Sequence, residues 1–141
     1  MPRAKRPPVE FDVDLLVAGE ATASGNVYPP EIIEQLVEKI NETPVTIEEV
    51  SPVERKAHKV PVCYSWPEHA MAVSTKAVCA DGHLVITFAL KTNKYGKLLK
   101  KTMEENAVVF KPVGIGDTDE SGTITKYTLV YVTFRVANGS D

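Results

Sequence analysis

The chain has 141 residues, of which 43% are hydrophobic and 25% charged, with a formal net charge of −3. That suffices for one domain around one core, and the acidic balance argues against a general nucleic-acid binder. No apolar run approaches the ~20 residues of a membrane span, and no secretory signal is visible.

Residues 1–10 read as an arm. Arg3, Lys5 and Arg6 are interleaved with Pro2, Pro7 and Pro8, which leaves little to bury. Residues 11–137 are expected to form a single α+β domain, with a short tail at 138–141. Phe11-Asp-Val13-Asp-Leu15-Leu-Val17 alternates apolar and acidic side chains, the period of a half-buried strand. A small, polar loop follows from Gly19 to Asn26. Ile32, Ile33, Leu36, Val37 and Ile40 then recur at helical spacing, and Pro30 and Glu31 suit a first helical turn. The spacing predicts a helix from about Pro29 to Asn41.

Val45-Thr-Ile47 is strand-like, Glu54–His58 reads as a polar connection, and Val60–Tyr64 as an edge strand because Pro61 would spoil a central one. Trp66-Pro-Glu-His69 is a turn. Met71–Val78 and His83–Leu90 flank Asp81-Gly82, a strong hairpin signal, with Leu84, Ile86, Phe88 and Leu90 sharing one face. Thr92 or Asn93 can cap a second helix running to about Asn106, with Tyr95, Leu98, Leu99 and Met103 as its buried stripe. Its lysines lie early and its glutamates late, against the helix dipole, so packing must hold it. Val108–Ile115 and Thr123–Ala137 read as strands, the last apolar on both faces and therefore central. The expected architecture is a mixed or mostly antiparallel sheet, strongly curved or barrel-like, with two packed helices. Cys63 and Cys79 sit alone in apolar stretches and read as reduced packing residues.

The stretch VVFKPVGIGDTDESGTI, residues 108–124, admits several chemistries. Asp117, Asp119 and Ser121 fall at positions one, three and five of a possible calcium loop, with Gly122 at six. Position twelve, however, is Thr128 where a bidentate glutamate is needed. An acidic tight turn between strands explains the same residues. Gly114-Ile-Gly116 lacks the following helix and the Lys-Ser/Thr pair of a phosphate loop. His58, His69 and His83 have no metal-ligand spacing, and no cofactor motif is present. His69 is a candidate general base, but no Gly-x-Ser-x-Gly elbow singles out Ser65, Ser74 or Ser121 as its nucleophile.

Asn26-Val-Tyr28-Pro29 before an Ile-rich helix resembles the Asn-Gly-Arg-x-Tyr-Pro segment of the prohead maturation proteases of tailed bacteriophages. The order that follows is also similar over roughly residues 19–116. It runs through Pro67-Glu-His69, Ala72–Val78, Asp81-Gly82-His-Leu84, the Thr92-x-x-x-Gly96-x-x-Leu99 helix and Phe110-Lys-Pro-Val-Gly114. The resemblance implies that His69 stands where the family has its general base, and Lys111-Pro112 where it has its nucleophilic serine. A lysine ammonium cannot attack a carbonyl as a serine Oγ does, and Pro112 has no N–H for an oxyanion.

The function expected is therefore a non-enzymatic, capsid-associated structural protein, a decoration, cement or minor head component. It would bind the major capsid protein or other virion proteins, in the virion and in the host cytoplasm during assembly. Arg3, Lys5, Arg6, Lys94, Lys97 and Lys101 are its candidate contacts, and self-association is compatible with it. The alternatives are an active protease using His69 and a calcium-dependent module using residues 117–122.

Overall fold

The computed structural model describes residues 9–22, 25–49, 52–59 and 65–137. The expected strand at Val60–Tyr64, the basic arm up to Pro8, Cys63 and the tail lie outside the described residues. Strand β1 (Glu10–Val17) leads through a loop to helix α1 (Pro30–Glu42), then to β2 (Thr46–Glu48) and α2 (Pro52–Ala57). A short 3-10 turn (Pro67–His69) precedes the hairpin of β3 (Ala70–Ala80) and β4 (His83–Leu90). Helix α3 (Lys94–Glu105) and the long hairpin of β5 (Ala107–Thr118) and β6 (Ile124–Ala137) complete the domain. The sheet order is β1-β4-β3-β2-β6-β5, antiparallel except where β2 meets β6.

This is the expected α+β class, and the six-stranded mixed sheet curls into a half-barrel. Its two edge strands come round toward each other: the rings of Phe11 on β1 and Phe110 on β5 have centroids 6.0 Å apart. Leu84, Ile86, Phe88 and Leu90 are buried on one face of β4, as their alternation requires. Asp81 and Gly82 take φ of 51° and 81°, the two left-handed residues of the tight turn that Asp-Gly predicts.

Helix α1 buries Ile32, Ile33, Leu36 and Ile40 of the stripe read from its spacing, and Val37 is half-buried beside them. At ~1.5–3 kcal/mol per fully buried aliphatic side chain, that stripe, rather than any cap, holds the helix. Its N-cap is Pro29, which has no side-chain cap to offer. Asn41 pins the other end to the sheet: its Oδ1 accepts from the Ala77 N–H at 2.8 Å and its amide donates to the Ala77 carbonyl at 2.9 Å.

Four expectations need correction. Glu54–His58 is not a mere connection, since Pro52–Ala57 form α2. Leu98 is not buried in the α3 stripe but 51% exposed, because Leu99 and Gly96 face the sheet instead. Val136 is also exposed, so β6 is buried at Ile124, Tyr131, Val132 and Phe134 but not at its C-terminal end. Cys79 lies on the outer, solvent side of β3 as a free thiol, not a packing residue.

Candidate functional site

The site begins with the 3-10 turn. It leaves the His69 ring between two aromatic planes, 4.1 Å from the Trp66 ring at 13° and 4.8 Å from the Tyr95 ring at 23°. Each neighbour is held by its own local chemistry. Asn93 caps α3 by accepting from the Gly96 N–H at 2.8 Å, and its amide reaches the Ala70 carbonyl at 3.4 Å, which sets Tyr95 beside the start of β3. The backbone N–H of Trp66 donates to Oε1 of Glu48 at 2.6 Å. His58 packs against the Trp66 ring at 5.3 Å, and Lys94 Nζ lies 5.1 Å from the centre of the Tyr95 ring.

Beneath this stack lies a carboxylate that the sequence reading missed. Glu48 is 0% exposed and Arg55, from α2, is 1% exposed. Arg55 donates to Oε1 of Glu48 at 3.2 Å and its guanidinium sits 4.9 Å from the centre of the Tyr131 ring. The hydroxyls of Ser65 and Thr46 both donate to Oε2. With four donors already on its two oxygens, Glu48 is a structural hub rather than an available base. It is inward because the β2–β3 register shifts between Ile47 and Glu48, which turns two successive side chains into the interior. A strict period of two would have put Glu48 outside.

The candidate nucleophiles are all committed elsewhere. Ser65 donates to Glu48, the buried Ser74 Oγ accepts from the Val45 N–H at 2.8 Å, and Ser121 donates to Asp119. Among the described residues none hydrogen-bonds His69. Lys111 pairs with Thr133 and Pro112 with Val132, and strands β6 and β2 lie between them and β3. Lys111 and Pro112 line an open cleft at the seam of the half-barrel, facing Asp14–Val17 of β1, while His69 is not part of that cleft. β5 is an edge strand, where lysine and proline both deter pairing with a foreign strand.

Gly114-Ile-Gly116 has a packing reason. A Cβ on Gly114 would lie 2.3 Å from the Thr128 carbonyl and 2.6 Å from the Tyr127 ring, and one on Gly116 would lie 2.3 Å from the Lys126 carbonyl. Tyr127 lies across the two bare positions and meets Tyr28 edge-on, with ring centroids 5.3 Å apart. Burial first, then Tyr28, pushes the Tyr127 hydroxyl above its ordinary value, and burial raises Tyr28 as well. The unfolded chain then ionises these groups near pH ~10 while the folded one resists. The stability they contribute is intact below pH ~10 and declines as the pH rises above it. Urea unfolding is expected to show the wild type losing more stability between pH ~9 and ~11 than Tyr127→Phe does. Parallel losses would refute the assignment.

The acidic turn is turn chemistry. Oδ1 of Asp119 accepts from the Ser121 hydroxyl at 2.7 Å, the Ser121 N–H at 2.9 Å and the Thr123 N–H at 3.0 Å, while Gly122 takes φ of 88°. These bonds, the Ser121 hydroxyl foremost, hold the Asp119 carboxyl below the usual carboxylate range. Among the described residues, no three His, Cys, Asp or Glu side chains are grouped to hold a metal ion, and Asp117 is not drawn into such a group. Lys94, Lys97 and Lys101 are exposed on one side of α3, whereas Arg3, Lys5 and Arg6 lie outside the described residues. No described helix is long and apolar enough to cross a membrane.

No protein-family model matches the sequence, and no curated protein is significantly similar to it. The fold does have a counterpart. The bacteriophage T4 capsid assembly protease gp21 aligns with a TM-score of 0.66, covering 91% of this chain and 82% of that one at 14% identity. The protein therefore has a phage protease-like fold.

Proposed function

We propose that the protein is a non-enzymatic, capsid-associated structural protein, a decoration, cement or minor head component that binds the major capsid protein or another virion protein. The observation that carries this reading is Lys111-Pro112 on β5 of a capsid-protease fold. The position that the family resemblance assigns to the nucleophile offers neither a hydroxyl nor a thiol. The stacked His69 adds support, since a general base needs a nucleophile within hydrogen-bond reach and the candidate serines serve Glu48, the backbone and Asp119. Function then rests on burial of surface at a protein interface, with the basic arm and the lysine face of α3 as contacts. The protein would reside in the virion, and in the host cytoplasm during assembly.

Co-sedimentation with purified capsids of the source phage tests this. The full chain is expected to pellet with capsids, and a chain lacking residues 1–10 to pellet several-fold less; equal occupancy would remove the arm from the interface. The capsid and scaffold proteins are expected to remain intact after prolonged incubation at high protein concentration. Cleavage that disappears in His69→Ala would establish the enzymatic alternative instead.

A further inference from the structure

We propose that the exposed face of α3 docks onto α1 of a second copy, joining chains head to tail through a lysine stripe and a glutamate stripe. The inference takes up the reading of α3 as a contact face and names its partner; contact with the capsid then falls to the arm.

Glu31, Glu34, Glu38 and Glu42 recur at spacings of three and four residues along α1, all exposed, on the side away from its buried stripe. Lys94, Lys97 and Lys101 recur at the same spacings along α3, and Lys100 extends the patch, all exposed. The ion pairs found among the described residues are Arg55–Glu48 and His83–Asp14, so neither stripe is paired to another described residue. The lysines also crowd the first turns of α3, where the helix dipole disfavours them, and its first turn holds no acidic residue. A neighbouring carboxylate row relieves both. Leu98 stands among Lys94, Lys97 and Lys101, the apolar anchor within a charged rim that protein interfaces use.

The charges also select an orientation. Antiparallel helices place Glu31 against Lys101, Glu34 and Gln35 against Leu98 and Lys97, and Glu38 against Lys94, over ~10 Å. That arrangement also sets the two helix dipoles favourably. A parallel alignment would bring Glu42 onto Glu105. Because the two stripes belong to different helices, the contact is heterologous, and repetition produces rings or open arrays, a geometry suited to a coat component.

Sedimentation velocity of the full chain, without capsids, tests the inference independently of capsid binding. At about 20 mM NaCl the weight-average mass is expected to rise above the 15.4 kDa monomer with concentration, and at about 500 mM NaCl to return to it. The triple variant Lys94→Glu/Lys97→Glu/Lys101→Glu and the triple variant Glu31→Lys/Glu34→Lys/Glu38→Lys are each expected to stay monomeric with unchanged far-UV circular dichroism. An equimolar mixture of the two is expected to associate again. A wild type that stays monomeric at low salt, association that survives either triple change, or a mixture that stays monomeric would overturn the proposal.

Discussion

Arg55→Ala is expected to destabilise the fold by about 3–5 kcal/mol, because it leaves the Glu48 carboxylate buried without its counter-charge. Chemical denaturation should register this as a lower midpoint with little change in slope. The loss should also reach the surface, since Glu48 orients Trp66, whose ring stacks on His69. A red-shifted Trp66 emission in the folded variant is the accompanying signature. Replacing both partners, as Glu48→Leu with Arg55→Met, should recover only part of the loss. The Trp66 N–H and the Ser65 and Thr46 hydroxyls would still lack their acceptor. A cost below about 1 kcal/mol for Arg55→Ala would mean that the pair is not buried as described.

Gly96→Ala should cost about 3 kcal/mol, the upper end of what overpacking usually exacts. In an exposed helix the same exchange would stabilise by up to ~1 kcal/mol, so the sign itself is diagnostic. The reason is the close approach of α3 to the chain just before it. An added methyl would lie 1.9 Å from the Lys91 carbonyl oxygen and 2.7 Å from its carbon, backbone atoms that cannot rotate away. Lys91 is itself fixed, its N–H donating to the Met71 carbonyl at 2.9 Å. Relief requires α3 to tilt outward, which would pull Tyr95 off His69. A stabilised or unchanged Gly96→Ala would show that α3 does not sit this close.

Much of the architecture was legible because local rules and the global fold agree. The stripe of α1, the alternation of β4, the Asp-Gly turn and the Asn93 cap each depend on a few consecutive residues, and each stands as expected. The misreadings share one cause. Leu98 and Leu99 are adjacent and both apolar, and only the direction from which the sheet approaches decides which is buried. Glu54–His58 reads as polar connection because nothing local reveals that Arg55 has a carboxylate waiting on another strand.

The candidate site divides in the same way. The absence of a hydroxyl at Lys111-Pro112, the acidic turn and the lysine run of α3 are matters of composition and spacing, and the amino-acid sequence alone determined them. Tertiary structure decided that Asp119 serves its own turn, that Gly114 and Gly116 make room for Tyr127, and that His69 is stacked rather than paired with a serine. It also decided that Glu48 turns inward, through a one-residue shift in strand register. Periodicity reports which side of a strand a residue should take. A bulge reverses that assignment at one point, and Arg55, seven residues on and in a different element, then fixes what the side chain does there.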